Sequence, residues 1–61
     1  MTIQNETRDH IKKWVEVRKN KKLTQEEIAK MTGVSRSHIA NFENLRVNNM
    51  YLYSVYQNLF D

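Results

Sequence analysis

Residues 23–44 read LTQEEIAKMTGVSRSHIANFEN, and the order of polar and apolar residues in them predicts two short helices joined by a turn. Thr24 opens the first helix: its hydroxyl can accept a backbone N–H, while Glu27, three residues on, reaches back to the cap amide as in a capping box. The helix therefore starts at Gln25. Ile28 and Ala29 fall one turn in on the same side, and the small Ala29 lets a second helix approach closely. Gly33, the only glycine of the chain, ends the helix, because the turn calls for a positive φ that glycine adopts without steric conflict; Val34 beyond it dips into the core. Ser35 caps the next helix. Val34, Ile39 and Phe42 then form one apolar stripe, leaving Arg36, Ser37, Ala40, Asn41 and Asn44 on faces that can meet a partner.

These residues closely resemble the Cro/C1-type (XRE-like) helix-turn-helix, the family of lambdoid phage repressors, restriction-modification controller proteins and many small bacterial regulators. The resemblance covers the middle third of the chain. It implies an all-α, roughly four-helix, lambda-repressor-like DNA-binding fold. It also implies a sequence-specific transcriptional regulator of repressor type, reading the major groove with the helix at about 35–44. By the same resemblance, Gln25 corresponds to a position that contacts phosphate or supports a base contact. Arg36, Ser37 and Asn41 correspond to positions that face base edges, and Arg18 and Glu43 to a structural ion pair between the first helix and the end of the recognition helix. Two residues depart from the family pattern. Thr32 precedes the glycine where an apolar residue is usual, its methyl filling part of that space. Leu45 stands where Asn-Gly would normally follow Glu43, which predicts a longer or differently shaped exit from the recognition helix. The family then continues through two more helices, whereas this chain has room for one before Asp61.

The base chemistry can be argued one residue at a time. The planar fork of Arg36 matches guanine O6 and N7, and Asn41 can pair with adenine N6 and N7 in the same way. Ser37 can donate to or accept from a base edge or a phosphate. Asn44, near the helix end, suits the DNA backbone, as do Arg46 and Lys22. For His38 two readings stay open, a DNA contact and a surface or capping role. A metal role has no support, since His10 is its only histidine companion and no acidic cluster joins them.

Lys12, Lys13, Arg18, Lys19, Lys21 and Lys22 gather around the end of the first helix and its loop, with a net charge of +3 and a pI near 9.5. Such a distribution attracts phosphate without choosing a sequence. Taken alone it reads as a solvated lysine-rich face; beside the motif, Lys22 and Arg46 become backbone contacts while Lys12 and Lys13 remain solvating residues. The 61 residues form one helix-turn-helix domain, with the motif at about 24–44 and no visible linker, repeat or low-complexity tail. A chain this short buries little core. The absence of cysteine removes a disulfide framework and thiolate metal sites. The N-terminal MTIQNETRDH has no apolar stretch of signal-peptide length and no segment approaches a membrane span, so cytoplasmic residence without membrane contact is expected. Both a complete short regulator and the DNA-binding part of a longer one fit these features.

The first helix is predicted from about Asn5 or Glu6 to Lys19, with Ile11, Trp14, Val15 and Arg18 inward and Trp14 in the core. The last, from near Asn49 to Phe60, has a wide apolar surface: Leu52, Val55 and Leu59 form one stripe, and Tyr53, Tyr56 and Phe60 an adjacent one. Either the second stripe wraps over a thin core or it is a dimer or partner interface. A homodimer on DNA calls for an inverted-repeat operator in double-stranded DNA with half-sites about one turn, roughly 34 Å, apart. The rival is a protein-interaction module on the same fold, an antirepressor, antitoxin or modulator docking through its aromatic last helix. Catalysis has no footing, because Ser35 or Ser37 beside His38 on one short helix offers neither an orienting third group nor a pocket. No cofactor is implied.

Overall fold

The computed structural model describes residues 5–61; residues 1–4, part of the N-terminal stretch considered for a signal peptide, lie outside the described residues. Four helices follow in order: α1 (Asn5–Asn20), α2 (Gln25–Thr32), α3 (Arg36–Glu43) and α4 (Met50–Phe60). α2 packs chiefly on α3, and α1 on α4 and α3.

The starts of α2, α3 and α4 each have a local cause. Thr24, in extended backbone, accepts the Glu27 N–H on its hydroxyl at 3.1 Å and donates its own N–H to Glu27 Oε1 at 3.0 Å, completing the capping box. Ser35 accepts from the His38 N–H, and Asn49 Oδ1 accepts from the Leu52 N–H.

The first three helices share one kind of ending. Lys22, Gly33 and Leu45 follow α1, α2 and α3 with φ of 60°, 74° and 64°, in the left-handed region. After α1, Leu23 N–H donates to Arg18 O and Lys22 N–H to Lys19 O; after α3, Arg46 N–H donates to Asn41 O and Leu45 N–H to Phe42 O. Both are Schellman motifs, and in neither does a glycine take the left-handed residue. Leu45 takes the backbone conformation suited to glycine, and its half-buried side chain packs against the core, offsetting the strain. The Thr32 departure has its own use: the hydroxyl donates to Ile28 O at 2.9 Å and accepts the Val34 N–H at 3.2 Å, so it satisfies the turn around Gly33.

The core consists of Ile11, Trp14, Ile28, Ile39, Phe42, Leu52, Tyr56 and Phe60, with Val34, Leu45 and Tyr53 among the half-buried residues against it. The inward line of α4 is thus Leu52–Tyr56–Phe60 at intervals of four. Of the two readings of the Tyr53, Tyr56 and Phe60 stripe, wrapping over a thin core is the one that Tyr56 and Phe60 follow, with Tyr53 half-buried beside them. In so short a chain the interior is filled by aromatic rings, and the Tyr56 ring stacks edge-on against Phe42 and Phe60 at centroid distances of 5.1 and 5.3 Å. Tyr53 lies edge-on to Trp14 at 4.8 Å, with its hydroxyl 2.7 Å from His10 Nδ1. Trp14 is buried, and its Nε1 has no hydrogen-bond partner among the described residues.

Candidate nucleic-acid interface

α3 has two different sides. Ile39 and Phe42 face the core, and the Glu43 carboxylate at its last turn is 4% exposed. Arg36, Ser37 and Asn44 are exposed, and Asn41 is half-buried. A residue-to-residue spacing of three or four keeps 37, 41 and 44 on one side, with Arg36 beside them at the helix start. This side carries polar and basic groups of the type that pair with base edges and phosphate.

The helix is held from behind by Glu43. Its Oε2 accepts from Arg18 Nε at 2.8 Å and from the Tyr56 hydroxyl at 2.5 Å; its Oε1 accepts from Arg18 Nη2 at 2.9 Å and from Gln25 Nε2 at 3.1 Å. Arg18 Nη1 also donates to Leu23 O at 2.6 Å. One carboxylate therefore ties α1, the start of α2, α3 and α4 together. Both charges are almost fully buried, with side-chain exposures of 8% and 4%, and the fork-to-fork geometry with further donors offsets the loss of water. Burial, and then the hydrogen bond and negative charge of Glu43, push the Tyr56 hydroxyl far above its ordinary pKa, so it remains a donor.

Beside the start of α3, an open cleft of about 530 Å³ is lined by Arg18, Lys19, Lys22, Leu23, Thr24, Gln25, Glu26 and Arg36. Lys19, Lys22 and Arg36 are exposed there. The first amides of α2 lack intrahelical acceptors and carry the positive end of the helix dipole. Arg36 belongs both to the cleft and to the exposed side of α3, and Arg46, in the loop after the far end of α3, is exposed as well. Lys12 is exposed on α1, and Lys13 makes a solvent-exposed pair with Asp61 at 3.6 Å, of small energetic weight.

Three features had no sequence signal of their own. Gln25 is half-buried and donates to Glu43, so its side chain is anchored to α3. His38 turns to the start of α4: Asn49 Oδ1 is occupied by its helix cap, which directs Nδ2 to His38 Nε2 at 2.9 Å and makes that ring nitrogen the acceptor. Lys19 joins the cleft, although the charge run gave no reason to separate it from its neighbours. Only the depth at which Tyr56 is buried shows that it can reach Glu43.

Among the described residues, no helix is long and apolar enough to cross a membrane, and no group of three His, Cys, Asp or Glu is placed to hold a metal ion. No curated protein and no solved structure matches the chain. A family model described as helix-turn-helix matches residues 16–48, from the last part of α1 through α2 and α3 to the loop before α4. With the capping box, the left-handed turn at Gly33 and the Arg18–Glu43 pair all inside that span, the chain belongs to the Cro/C1-type helix-turn-helix family of DNA-binding regulators.

Proposed function

We propose that this protein is a sequence-specific DNA-binding transcriptional regulator that inserts α3 into the major groove. The observation that carries the reading is the outward side of α3, polar and basic, on a helix whose inner end is fixed by the buried Glu43 node. Arg36, Ser37 and Asn41 read base edges, with Arg36 suited to guanine and Asn41 to adenine. Gln25, Lys22, Asn44 and Arg46 contact the sugar-phosphate backbone, which sets register and orientation without selecting sequence. His38 serves the junction with α4 through Asn49. The protein acts in the cytoplasm as a homodimer on an inverted repeat, its half-sites about 34 Å apart as two successive major grooves require. Occupancy of such a site represses transcription when it overlaps a promoter. Of the three aromatic residues that could have supported a protein-docking role for α4, Tyr56 and Phe60 lie in the interior at 0% and 6% exposure, and Tyr53 is half-buried against Trp14.

The experiment is selection from a random duplex pool with the pure protein, at low and at near-physiological salt. Recovery of an inverted repeat with guanine or adenine at fixed positions is the expected result. Binding that shows no preferred sequence and disappears with salt overturns it, because phosphate contacts alone behave in that way.

A further inference from the structure

The outward side of α3 is polar except at Ala40. Helical hydrogen bonds hold both ends of α3, Ile39 N–H to Ser35 O at 3.0 Å and Asn44 N–H to Ala40 O at 2.9 Å, so helical spacing applies along its whole length. At about 3.6 residues per turn, Ala40 lies about 40° around the axis from Arg36 and about 60° from Ser37, one turn back, and about 40° from Asn44, one turn on. Phe42, in the core, lies about 160° away. Ala40 is half-buried, yet it is not among the half-buried apolar side chains that pack against the core, as Ala29 and Val34 are. Its methyl group is therefore an apolar spot set among Arg36, Ser37 and Asn44, which are exposed and polar.

We infer that the Ala40 methyl group contacts the C5-methyl of a thymine in the major groove and makes thymine the preferred base at that position of the site. The inference rests on the proposed insertion of α3 into the groove and adds a base to that reading. Thymine is the base whose major-groove edge carries a methyl group, and alanine is among the side chains that suit it. The polar neighbours cannot supply this selection, because their hydrogen bonds read donors and acceptors and not the methyl. The Ala40 side chain has neither donor nor acceptor, so a cytosine in the same place would set its N4 amino donor against a methyl group. Shortness matters as well. The groove, about 12 Å wide, barely exceeds a helix with its side chains, at about 10–12 Å across, and a short residue within the inserted side lets the helix come close enough for methyl-to-methyl contact. Placement gives the register. Ala40 lies four residues beyond Arg36, about 6 Å along the axis, which is under two base steps of about 3.4 Å. The thymine is therefore within about two base pairs of the base that Arg36 reads.

The test uses the pure whole chain. Selection from a random duplex pool, with wild type and Arg36→Ala in parallel, gives the site and marks the base whose preference depends on Arg36. Each thymine of the selected duplex is then replaced in turn by deoxyuridine, which removes the C5-methyl and leaves every donor and acceptor in place. At near-physiological salt, fluorescence anisotropy should show wild type binding about threefold to fivefold more weakly when the thymine beside the Arg36-dependent base is replaced. Ala40→Gly should bind the thymine and deoxyuridine duplexes equally. Glycine weakens a helix, but a loss of folding lowers both affinities alike, so the ratio of the two is the readout. Should Ala40→Gly fail to fold, Ala40→Ser keeps the size and sets a hydroxyl against the methyl, and its ratio should also fall toward unity. If no thymine is found whose replacement weakens wild type and spares the Ala40 variants, the inference is overturned while the DNA reading stands. A pool that yields no preferred sequence overturns the DNA reading itself, and the inference with it.

Discussion

The two ends of α3 differ in almost every physical respect. At its last residue, Glu43 is buried and bonded to side chains from α1, α2 and α4; at its first, Arg36 is exposed on the edge of an open cleft. The contrast shows how a chain of this size presents a reading helix with accuracy. Position is set at one end by hydrogen bonds shielded from water, and chemistry is presented at the other by side chains that remain solvated until a partner arrives. Substitutions at the two ends should accordingly separate stability from recognition.

The largest effect belongs to the buried end. Glu43→Ala leaves the Arg18 guanidinium buried without its counter-charge, a loss of about 3–5 kcal/mol, comparable with the total stability of so small a domain. The far-UV circular dichroism of this variant should be that of an unfolded chain at room temperature; a cooperative melt near the wild-type midpoint would show that the node contributes little. Arg36→Ala is the converse. It should leave the thermal midpoint unchanged while reducing discrimination for the selected site by about 1–3 kcal/mol relative to random duplex. Equal loss on both duplexes, measured by fluorescence anisotropy, would reassign Arg36 to a phosphate.

Tyr56→Phe sharpens the comparison because the ring stays in the core and only the hydroxyl donated to Glu43 is removed. The expected destabilisation is about 1–2 kcal/mol in denaturant unfolding. It has a pH signature as well. The folded-state pKa of Tyr56 is raised, so its contribution is constant below about pH 10, where both states keep the proton. It falls at higher pH, as the unfolded chain ionises and the folded one does not. The variant should lose stability less steeply above pH 10 than wild type, and parallel curves would contradict the link. The smallest effect is at the turn that starts the whole arrangement. No atom lies within 4 Å of a Cβ built on Gly33, so Gly33→Ala meets only backbone strain at φ 74°, about 1 kcal/mol by thermal melting. A much larger loss would mean that the turn itself reorganises.

Much of this contrast is legible along the chain because its causes are local. Thr24 and Glu27 are three residues apart, Gly33 is a single residue with an uncommon backbone angle, and Ser35 caps the helix it precedes. The outward side of α3 follows from helical spacing alone. Leu45 shows the limit of such reasoning. Its type argued for a changed helix exit, whereas packing of its side chain holds it at φ 64°.

What the order of residues determined by itself is therefore the existence of the helices, their capped starts, the turn at Gly33 and the polar side of α3, because each depends on groups within a turn or two of one another. What the tertiary structure decided is which aromatic residues of α4 are interior, that Tyr56 and Gln25 converge on Glu43, that His38 belongs to the junction with Asn49, and that Met31, Met50 and Tyr51 are left exposed. Those outcomes depend on how α4 lies across α1 and against the end of α2. A helix with apolar residues on more than one side has several orientations of similar local energy, and only contacts between distant segments select among them.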